Sequence, residues 1–232
     1  MSRTAVGPGG AQSDRLALVV FDWDGTLVDS TSAITDAICL SAADLGLPVP
    51  TRERASHVIG LGLLEAIHYA VPQIQRAQMP AFIERYRHHF LKRDEYLMPF
   101  DGVPALLAKL AGLGVPLAVA TGKSRAGLDR ALVQTGWGRL FATTRCADEG
   151  APKPDPWMLH DICEELDVDP ARLVMIGDTT HDLRMATAAG ARSVAVTYGA
   201  HPVAELEACA PEAIVRSVGE LRDWLLPRVA PA

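Results

Sequence analysis

An apolar run that leads directly into two carboxylates is the feature of this sequence that most limits its fold. The run Leu16–Phe21 is rich in valine and has no alternating polar positions, which is typical of a strand buried on both faces in a parallel α/β sheet. Asp22 and Asp24 follow at its carboxyl end. Ligands bind at that edge of an open α/β sheet, and paired carboxylates there cost stability unless a cation or a reaction requires them. The string Asp22–Thr26 by itself is equally well explained as an Asp-Gly turn beside a solvated aspartate.

The charge balance and the apolar runs exclude several classes of protein. The 232 residues contain 22 Lys and Arg against 28 Asp and Glu, a formal charge of -6, and no basic block or basic stripe interleaved with aromatic residues. We therefore expect no nucleic acid as a main partner. Because the apolar runs are far shorter than a membrane span, a soluble protein without a membrane partner is expected.

The first residues and the cysteines bear on the compartment. Residues 1–15 predict a disordered tail, because they have too little apolar content to pack and lack the apolar middle of a secretory signal. The four cysteines show no metal-ligand spacing, which indicates reduced thiols: Cys39, Cys146, Cys163 and Cys209. These features predict a cytoplasmic protein. Both a monomer and a homodimer are compatible with the sequence.

Residues 31–98 differ from the rest of the chain in the spacing of their apolar residues. Their apolar residues recur at helical spacing, first at Ile34, Ala37, Ile38 and Ala42, and later at Phe82, Ile83, Tyr86 and Phe90. This pattern predicts an all-helical block. The turn Gly60-Leu61-Gly62 lacks the third glycine and the preceding strand of a dinucleotide-binding loop, so we interpret it as a break between helices.

After residue 98, short β-rich runs alternate with helical segments. The predicted strands cover 116–120, 172–176, 193–196 and 213–215, and the predicted helices cover 103–112, 124–135, 156–166, 181–189 and 218–226. This alternation predicts an α/β fold with a doubly wound, Rossmann-like parallel sheet. Residues 16–30 and 99–232 then form the predicted core, and the helical block 31–98 is an insertion after the first strand.

Three more groups of polar residues fall where loops leave the predicted strands. Thr121-Gly122-Lys123-Ser124 opens a helix, which suits either an anion site or an ordinary hydroxyl cap. Lys153 lies between prolines, which suits either a fixed cation or a surface lysine. Asp178 and Asp182 are four residues apart, so both side chains can face the carboxylates after the first strand.

In this order the motifs Asp22–Thr26, Thr121-Gly122, Lys153 and Gly177–Asp182 resemble those of the haloacid dehalogenase superfamily of aspartyl phosphohydrolases. The resemblance covers nearly the whole chain from residue 16 onward, because the helical block lies where one subclass carries its cap domain. Within that subclass the chain looks most like the phosphoglycolate phosphatases. The resemblance implies a phosphatase that uses Mg²⁺ and acts on a small phosphorylated metabolite such as 2-phosphoglycolate.

The same resemblance implies a role for each carboxylate. Asp22 is the expected nucleophile that forms an aspartyl phosphate, and Asp24 is the expected general acid and base. Mg²⁺ is expected on the Asp22 carboxylate, the Asp24 backbone carbonyl and the Asp178 carboxylate. Asp182 is expected to orient a water bound to the metal.

Phosphate binding and substrate selection are assigned in the same way. Thr121 and the Gly122 N–H are expected to receive phosphoryl oxygens, and Lys153 is expected to neutralise the charge between nucleophile and phosphate. The loop of Gly60, Leu61 and Gly62 is expected to lie over the site and contact substrate, with a plain helix break as the alternative.

Several alternative functions stay open at this point. A true haloacid dehalogenase works without a metal, and the charges of Asp24 and Asp178 would then lack a balancing cation. A phosphohexose mutase would be expected to carry a Ser-Arg pair in the cap loop, where this chain has Ile59–Leu64. Phosphatases for sugar phosphates, nucleotides or pyrophosphate remain alternatives, as does a non-enzymatic phospho-acceptor signalling module.

Three other residues near the motifs have simpler interpretations. His181 is expected to face solvent or lie in a loop, because hard oxygen ligands suit Mg²⁺ better than imidazole does. Tyr198 is expected in a turn, with a place at the rim of the site as the alternative. Trp23 points away from its two aspartate neighbours on the strand and is expected to pack in the core.

Overall fold

A six-stranded sheet in which all neighbouring strands are parallel forms the centre of the computed structural model, which describes residues 15–94 and 96–229. Its strands are β1 (Leu18–Phe21), β2 (Leu117–Thr121), β3 (Thr143–Cys146), β4 (Leu173–Gly177), β5 (Arg192–Val196) and β6 (Ala213–Val215). Their order across the sheet is β3-β2-β1-β4-β5-β6. This order confirms the predicted α/β fold with a doubly wound parallel sheet. The predicted tail at residues 1–15 lies, except for Arg15, outside the described residues.

Strand β1 in the middle of the sheet is apolar at every position and is buried on both faces. In β1, Val19 and Phe21 pack on one face with residues of the helices that flank that side, while Leu18 and Val20 pack on the other face. All four side chains have no exposed surface. A strand with alternate residues in two separate apolar clusters cannot show a polar alternation, which explains the continuous apolar run in the sequence.

Four helices follow β1 before the chain returns to the sheet region: α1 (Thr31–Asp44), α2 (Arg52–His57), α3 (Leu63–Ala70) and α4 (Met79–Asp94). They form a helical block with its own apolar cluster, in which Ile38, Ile67 and Phe82 have no exposed surface. A short 3₁₀ turn, Arg76–Gln78, precedes α4. These helices lie where the sequence predicts an all-helical block, and the division of the chain into a core and a cap domain stays a prediction.

Two neighbouring segments connect the helical block to the sheet. Val28 pairs with Pro99 in an antiparallel bridge. On either side of that bridge, the Asp29 N–H donates to the Met98 carbonyl at 3.0 Å and the Phe100 N–H donates to the Leu27 carbonyl at 3.1 Å. The chain therefore leaves and re-enters the sheet region through a paired two-stranded connection.

Six further helices in the described chain complete the layers on the two faces of the sheet. They are α5 (Val103–Gly112), α6 (Arg125–Thr135), α7 (Trp157–Leu166), α8 (Thr180–Ala189), α9 (Val203–Ala208) and α10 (Val218–Leu225). Five of them lie within a residue or so of their predicted bounds, and α9 was not predicted. None of the helices in the described residues is long and apolar enough to cross a membrane.

The edge strand β3 is the one sheet element that the sequence analysis missed. Its sequence is Thr-Thr-Arg-Cys, and three of its four residues are only partly buried. An edge strand is covered on fewer sides than a central one and so tolerates polar residues, which removes the apolar run used to recognise the other strands.

Candidate active site

The predicted motif residues converge at the carboxyl ends of three adjacent strands. Asp22 directly follows β1, Thr121 is the last residue of β2, and Asp178 directly follows β4. Since β1 pairs with both β2 and β4, these three positions lie side by side at one edge of the sheet. The chain crosses from β3 to β4 over β2 and β1, so this is also the point where the strand order reverses, the usual ligand site of such sheets.

Lys153 reaches this edge from the loop between β3 and α7 and is fully buried. Its ammonium donates to Oδ1 of Asp22 at 2.8 Å and to Oδ1 of Asp182 at 2.6 Å. Burial alone would lower the pKa of Lys153, but the attraction of Asp182 and Asp22 outweighs burial and raises it. The ammonium is therefore a fixed positive charge between two carboxylates, as the flanking prolines suggested.

Asp178 is held by donors from two other loops. Its Oδ1 accepts a hydrogen bond from the Thr26 hydroxyl at 2.8 Å, and its Oδ2 accepts one from the Ala200 N–H at 2.7 Å. Burial raises the pKa of Asp178 well above its usual range, and the charges of Asp22 and Asp182 add to this effect. The close approach requires a glycine at position 25, because a Cβ there would lie 2.2 Å from Oδ2 of Asp178 and the backbone φ is +80°.

The Asp182 carboxylate accepts hydrogen bonds from the start of helix α8 as well as from Lys153. Thr179 caps this helix, and its N–H and hydroxyl donate to Oδ2 of Asp182 at 3.1 and 2.6 Å. The reciprocal arrangement is a capping box. It fixes the carboxylate so that its other oxygen points to Lys153.

The three buried carboxylates fit a divalent cation. One oxygen from each of Asp22, Asp178 and Asp182 lies within 4.8 Å of the others. Oδ2 of Asp22 is buried and accepts no hydrogen bond from any described residue. Burial raises the pKa of Asp22 to about 7, against the opposing effect of Lys153. A single ammonium does not balance three carboxylates, and hard oxygen donors of this kind suit Mg²⁺.

Asp24 faces a different set of residues from those around Asp22. Its Oδ1 accepts hydrogen bonds from the Ser30 hydroxyl at 2.6 Å and from the Lys123 ammonium at 2.9 Å. Lys123 also lies over the ring of Phe90, with its Nζ 4.9 Å from the ring centroid. The Asp24 carboxylate is thus oriented by a hydroxyl and a cation at the side of the site that faces the helical block.

Ser30, Thr26 and Lys123 are site residues to which the sequence analysis assigned no role, although Thr26 and Lys123 lie in motifs quoted there. Lys123 directly follows the Thr121-Gly122 motif, and this position is the only sequence signal that could have identified it. The Thr121 hydroxyl accepts a hydrogen bond from the Lys123 N–H at 3.2 Å. Ser30 lies six residues after Asp24, which it supports, whereas Thr26 supports Asp178, 152 residues later in the chain.

The loop of Gly60, Leu61 and Gly62 lies directly on the Thr121-Gly122 turn. It connects α2 to α3, as expected of a helix break. A Cβ built on Gly122 would lie 2.6 Å from the Gly60 carbonyl oxygen and 2.5 Å from that of Leu61. The helical block and the predicted phosphate-binding turn are therefore in backbone contact.

Three residues near the motifs, His181, Tyr198 and Trp23, lie in different surroundings in the structure. The expectation for His181 is wrong, because it lies in the first turn of α8 and is buried against the helical block, with Nε2 3.1 Å from the His57 carbonyl oxygen. The Tyr198 hydroxyl donates to the Thr26 carbonyl at 3.3 Å. Trp23 packs against Trp137, with ring centroids 5.8 Å apart, as predicted.

Comparisons with known proteins agree with this arrangement. The profile of a family described as haloacid dehalogenase-like hydrolase matches residues 19–196. The "Probable phosphatase IndB" of Dickeya dadantii is 38% identical over 88% of this chain and 91% of its own length. A phosphoglycolate phosphatase of Neisseria meningitidis is 31% identical over 94% of this chain and 97% of its own. The crystal structure of a predicted phosphatase from Clostridium acetobutylicum superposes with a TM-score of 0.81 at 26% identity, covering 92% of this chain and 99% of its own.

Proposed function

Since this chain belongs to the haloacid dehalogenase-like hydrolases and is a phosphatase of that family, we propose that it cleaves phosphate monoesters through an aspartyl phosphate on Asp22, with Mg²⁺ as cofactor. This proposal rests on the different surroundings of the two carboxylate oxygens of Asp22. Oδ1 is held by Lys153, whereas Oδ2 is buried without a hydrogen-bond partner in the described chain. A buried carboxylate oxygen without a partner costs free energy unless a ligand or a reacting atom meets it.

In the first half-reaction, an oxygen of Asp22 attacks phosphorus and the bond from phosphorus to the alcohol oxygen breaks. Asp24 donates a proton to the departing oxygen, so that a neutral alcohol leaves. Lys153 keeps a positive charge beside Asp22 while the negatively charged phosphoryl group approaches. Thr121 and the Gly122 N–H lie at the end of the adjacent strand β2, where they can donate to the phosphoryl oxygens.

In the second half-reaction, Asp24 removes a proton from water, whose oxygen attacks the phosphorus of the aspartyl phosphate. Inorganic phosphate leaves and the Asp22 carboxylate is restored. When bound by Asp22, Asp178 and the Asp24 carbonyl, Mg²⁺ would offset the repulsion between Asp22 and the phosphate and draw charge from the phosphoryl oxygens. Asp182 would keep its place through Lys153 and Thr179.

The names of the relatives support a phosphate monoester as the substrate but do not identify one alcohol. The Neisseria protein is named for phosphoglycolate, whereas the name of the more similar Dickeya protein specifies no substrate. We therefore use 2-phosphoglycolate as the reference compound and test other phosphate esters beside it.

The test is phosphate release from a panel of 2-phosphoglycolate, glucose 6-phosphate, AMP, pyrophosphate and p-nitrophenyl phosphate, with Mg²⁺ and with a chelator. We expect release that requires Mg²⁺ and a phosphoenzyme that can be trapped by acid quench during turnover. Transfer of phosphate within a hexose without release would indicate a mutase instead. An acyl phosphate that persists for minutes without turnover would indicate a signalling module.

A further inference from the structure

A cavity of about 300 Å³ extends from the aspartates into the helical block. Its walls include both Asp22 and Asp24, together with Gly122 on the sheet side. Under the proposed function, Asp22 bonds to phosphorus and Asp24 protonates the leaving oxygen. Whatever fills this cavity must therefore be attached to the leaving oxygen, which makes it the chamber for the alcohol part of the substrate.

The wall of the chamber on the side of the helical block is mostly apolar, although Tyr86 and Arg87 of α4 also line it. It is formed by residues from α1, from the loop after α2 and from α4: Ile34, Ile38, Val58, Ile59 and Phe90. Each of these side chains is buried, with at most 8% of its surface exposed. A carboxylate or a group with several hydroxyls placed against this wall would lose its hydration without gaining hydrogen bonds there. The wall therefore favours an apolar alcohol over glycolate.

The positive charges around the chamber do not form a site for an anionic alcohol. Lys123 is paired with Asp24 at 2.9 Å, and Arg130 is paired with Asp94 at 2.6 Å. Arg87 makes no ion pair within the described residues, but it belongs to the exposed side of α4. Two of these three cations are thus already neutralised. Arg87 lines the chamber from an exposed position on α4, where water screens its charge.

The size of the chamber leads to the same conclusion. A volume of about 300 Å³ is at the lower end of what small-molecule sites enclose. The two-carbon acid of 2-phosphoglycolate would leave most of the apolar wall without contacts, and unfilled apolar space forfeits dispersion and burial energy.

From this chamber we propose that the preferred substrate is a phosphate monoester whose alcohol carries an uncharged apolar body, an alkyl chain or a ring, that packs against Ile34, Ile38 and Phe90. The proposal rests on the proposed phosphatase function and specifies its substrate class. It makes these side chains determinants of specificity, since they select the leaving group without touching phosphorus.

A series of unactivated esters tests the proposal: ethyl, butyl and hexyl phosphate, with 2-phosphoglycolate beside them. Their alcohols lose a proton about equally readily, so differences in kcat/KM report packing of the chain. We expect kcat/KM to rise by up to about fourfold per methylene, which is up to about 250-fold from ethyl to hexyl, and hexyl phosphate to exceed 2-phosphoglycolate. A flat series, or a preference for 2-phosphoglycolate, overturns the proposal.

Two isoleucines of the helical block provide a matched pair of variants. Ile34 lines the chamber and is 8% exposed, while Ile74 is 7% exposed and lies outside the chamber wall. Ile34→Thr should reduce the hexyl-to-ethyl ratio of kcat/KM several-fold, whereas Ile74→Thr should leave that ratio as in the wild type. Equal changes of the ratio in both variants would contradict a contact with the substrate.

Arg87→Gln changes an exposed side chain and should leave the fold intact, so its kcat/KM values can be compared directly with those of the wild type. Its kcat/KM for the alkyl esters should equal that of the wild type. If the wild type prefers 2-phosphoglycolate and this variant loses that preference, the chamber binds an anionic alcohol and the proposal is wrong. Failure to hydrolyse any ester, including p-nitrophenyl phosphate, would instead contradict the phosphatase function itself.

Discussion

The ammonium of Lys153 lies 2.8 Å from Oδ1 of Asp22, and neither side chain has more than 1% of its surface exposed. The same ammonium contacts Asp182 at 2.6 Å, so one cation links the expected nucleophile to the helix α8 that carries Asp182. The ion pair has two consequences: it neutralises the site for an incoming phosphate, and it stabilises carboxylates that burial would otherwise disfavour.

Lys153→Met should destabilise the protein as well as inactivate it. The substitution leaves Asp22 and Asp182 buried without their cation, and removing one partner of a buried ion pair costs about 3–5 kcal/mol. Urea unfolding in chelator should therefore show a large loss of the free energy of unfolding. Lys109→Met, at an exposed position on α5, is the control and should change it by less than about 0.5 kcal/mol. An equally stable Lys153→Met protein would contradict this role.

Asp22→Asn should abolish phosphate release while leaving the fold intact. The amide keeps the shape of the carboxylate but is a poor nucleophile and a weaker ligand for a cation. Turnover of p-nitrophenyl phosphate with Mg²⁺ measures the first effect, and the circular dichroism spectrum checks the fold. Phosphate release at the wild-type rate would remove Asp22 from its role as nucleophile.

Asp22→Asn should also change how the free energy of unfolding depends on pH. Burial raises the pKa of Asp22 to about 7 in the metal-free protein, while an unfolded aspartate titrates near about 3.9. Between these values the unfolded state has released a proton that the folded state still holds, so this group makes stability fall as pH rises from about 4 to about 7. In chelator, Asp22→Asn should therefore gain stability relative to the wild type over this range. A constant difference between the two proteins at pH 5 and pH 7.5 would contradict the raised pKa.

Asp24→Asn should separate the two half-reactions. The variant cannot protonate the departing oxygen, but p-nitrophenolate needs little protonation, so formation of the aspartyl phosphate should persist with that ester. Its hydrolysis still needs the base, and the phosphoenzyme should accumulate. Acid quench followed by detection of protein-bound phosphate measures this. Equal losses with p-nitrophenyl and alkyl esters, without a trapped intermediate, would argue against general acid and base catalysis by Asp24.

Much of the candidate site could be predicted from the sequence because three of its motifs lie at the ends of apolar strands. In a parallel sheet the carboxyl ends of the strands meet at one edge, so strand prediction and adjacency bring Asp22, Thr121 and Asp178 together. Lys153 was harder to place, since it lies in a loop far along the chain and its burial depends on tertiary packing.

The contacts that could not be predicted join parts of the chain that are distant in sequence. Lys123 meets Asp24 once β1 and β2 pair, and it meets Phe90 only once the helical block lies against the sheet. For the same reason His181 was expected to face solvent, because nothing in its local sequence indicates that the His57 segment covers it. The spacing of apolar residues indicates which face of a helix or strand is buried. It does not indicate which other element packs against that face.

The loop Gly60–Gly62 contacts Gly122 and so joins the helical block to the predicted phosphate-binding turn. Gly60 has a backbone φ of +94°, and a Cβ there would lie 3.1 Å from the Thr179 hydroxyl. Gly60→Val therefore introduces both backbone strain and a contact with the cap residue of α8. We expect it to displace the loop and open the chamber.

Displacement of the loop should change kcat/KM by unequal factors among esters, because the chamber wall contacts the alcohol and not the phosphate. Esters with a large alcohol, such as hexyl phosphate, should lose most, and ethyl phosphate, whose short chain makes few contacts with the wall, should lose least. Leu61→Ala keeps the glycines and removes only a side chain from the chamber, so it should show the same order with smaller losses. Gly46→Ala is the control, since it also has a positive φ in the helical block but has nothing within 4 Å of a built Cβ. If Gly60→Val slows every ester by one common factor, the loop is a structural connection between α2 and α3 and does not select the substrate.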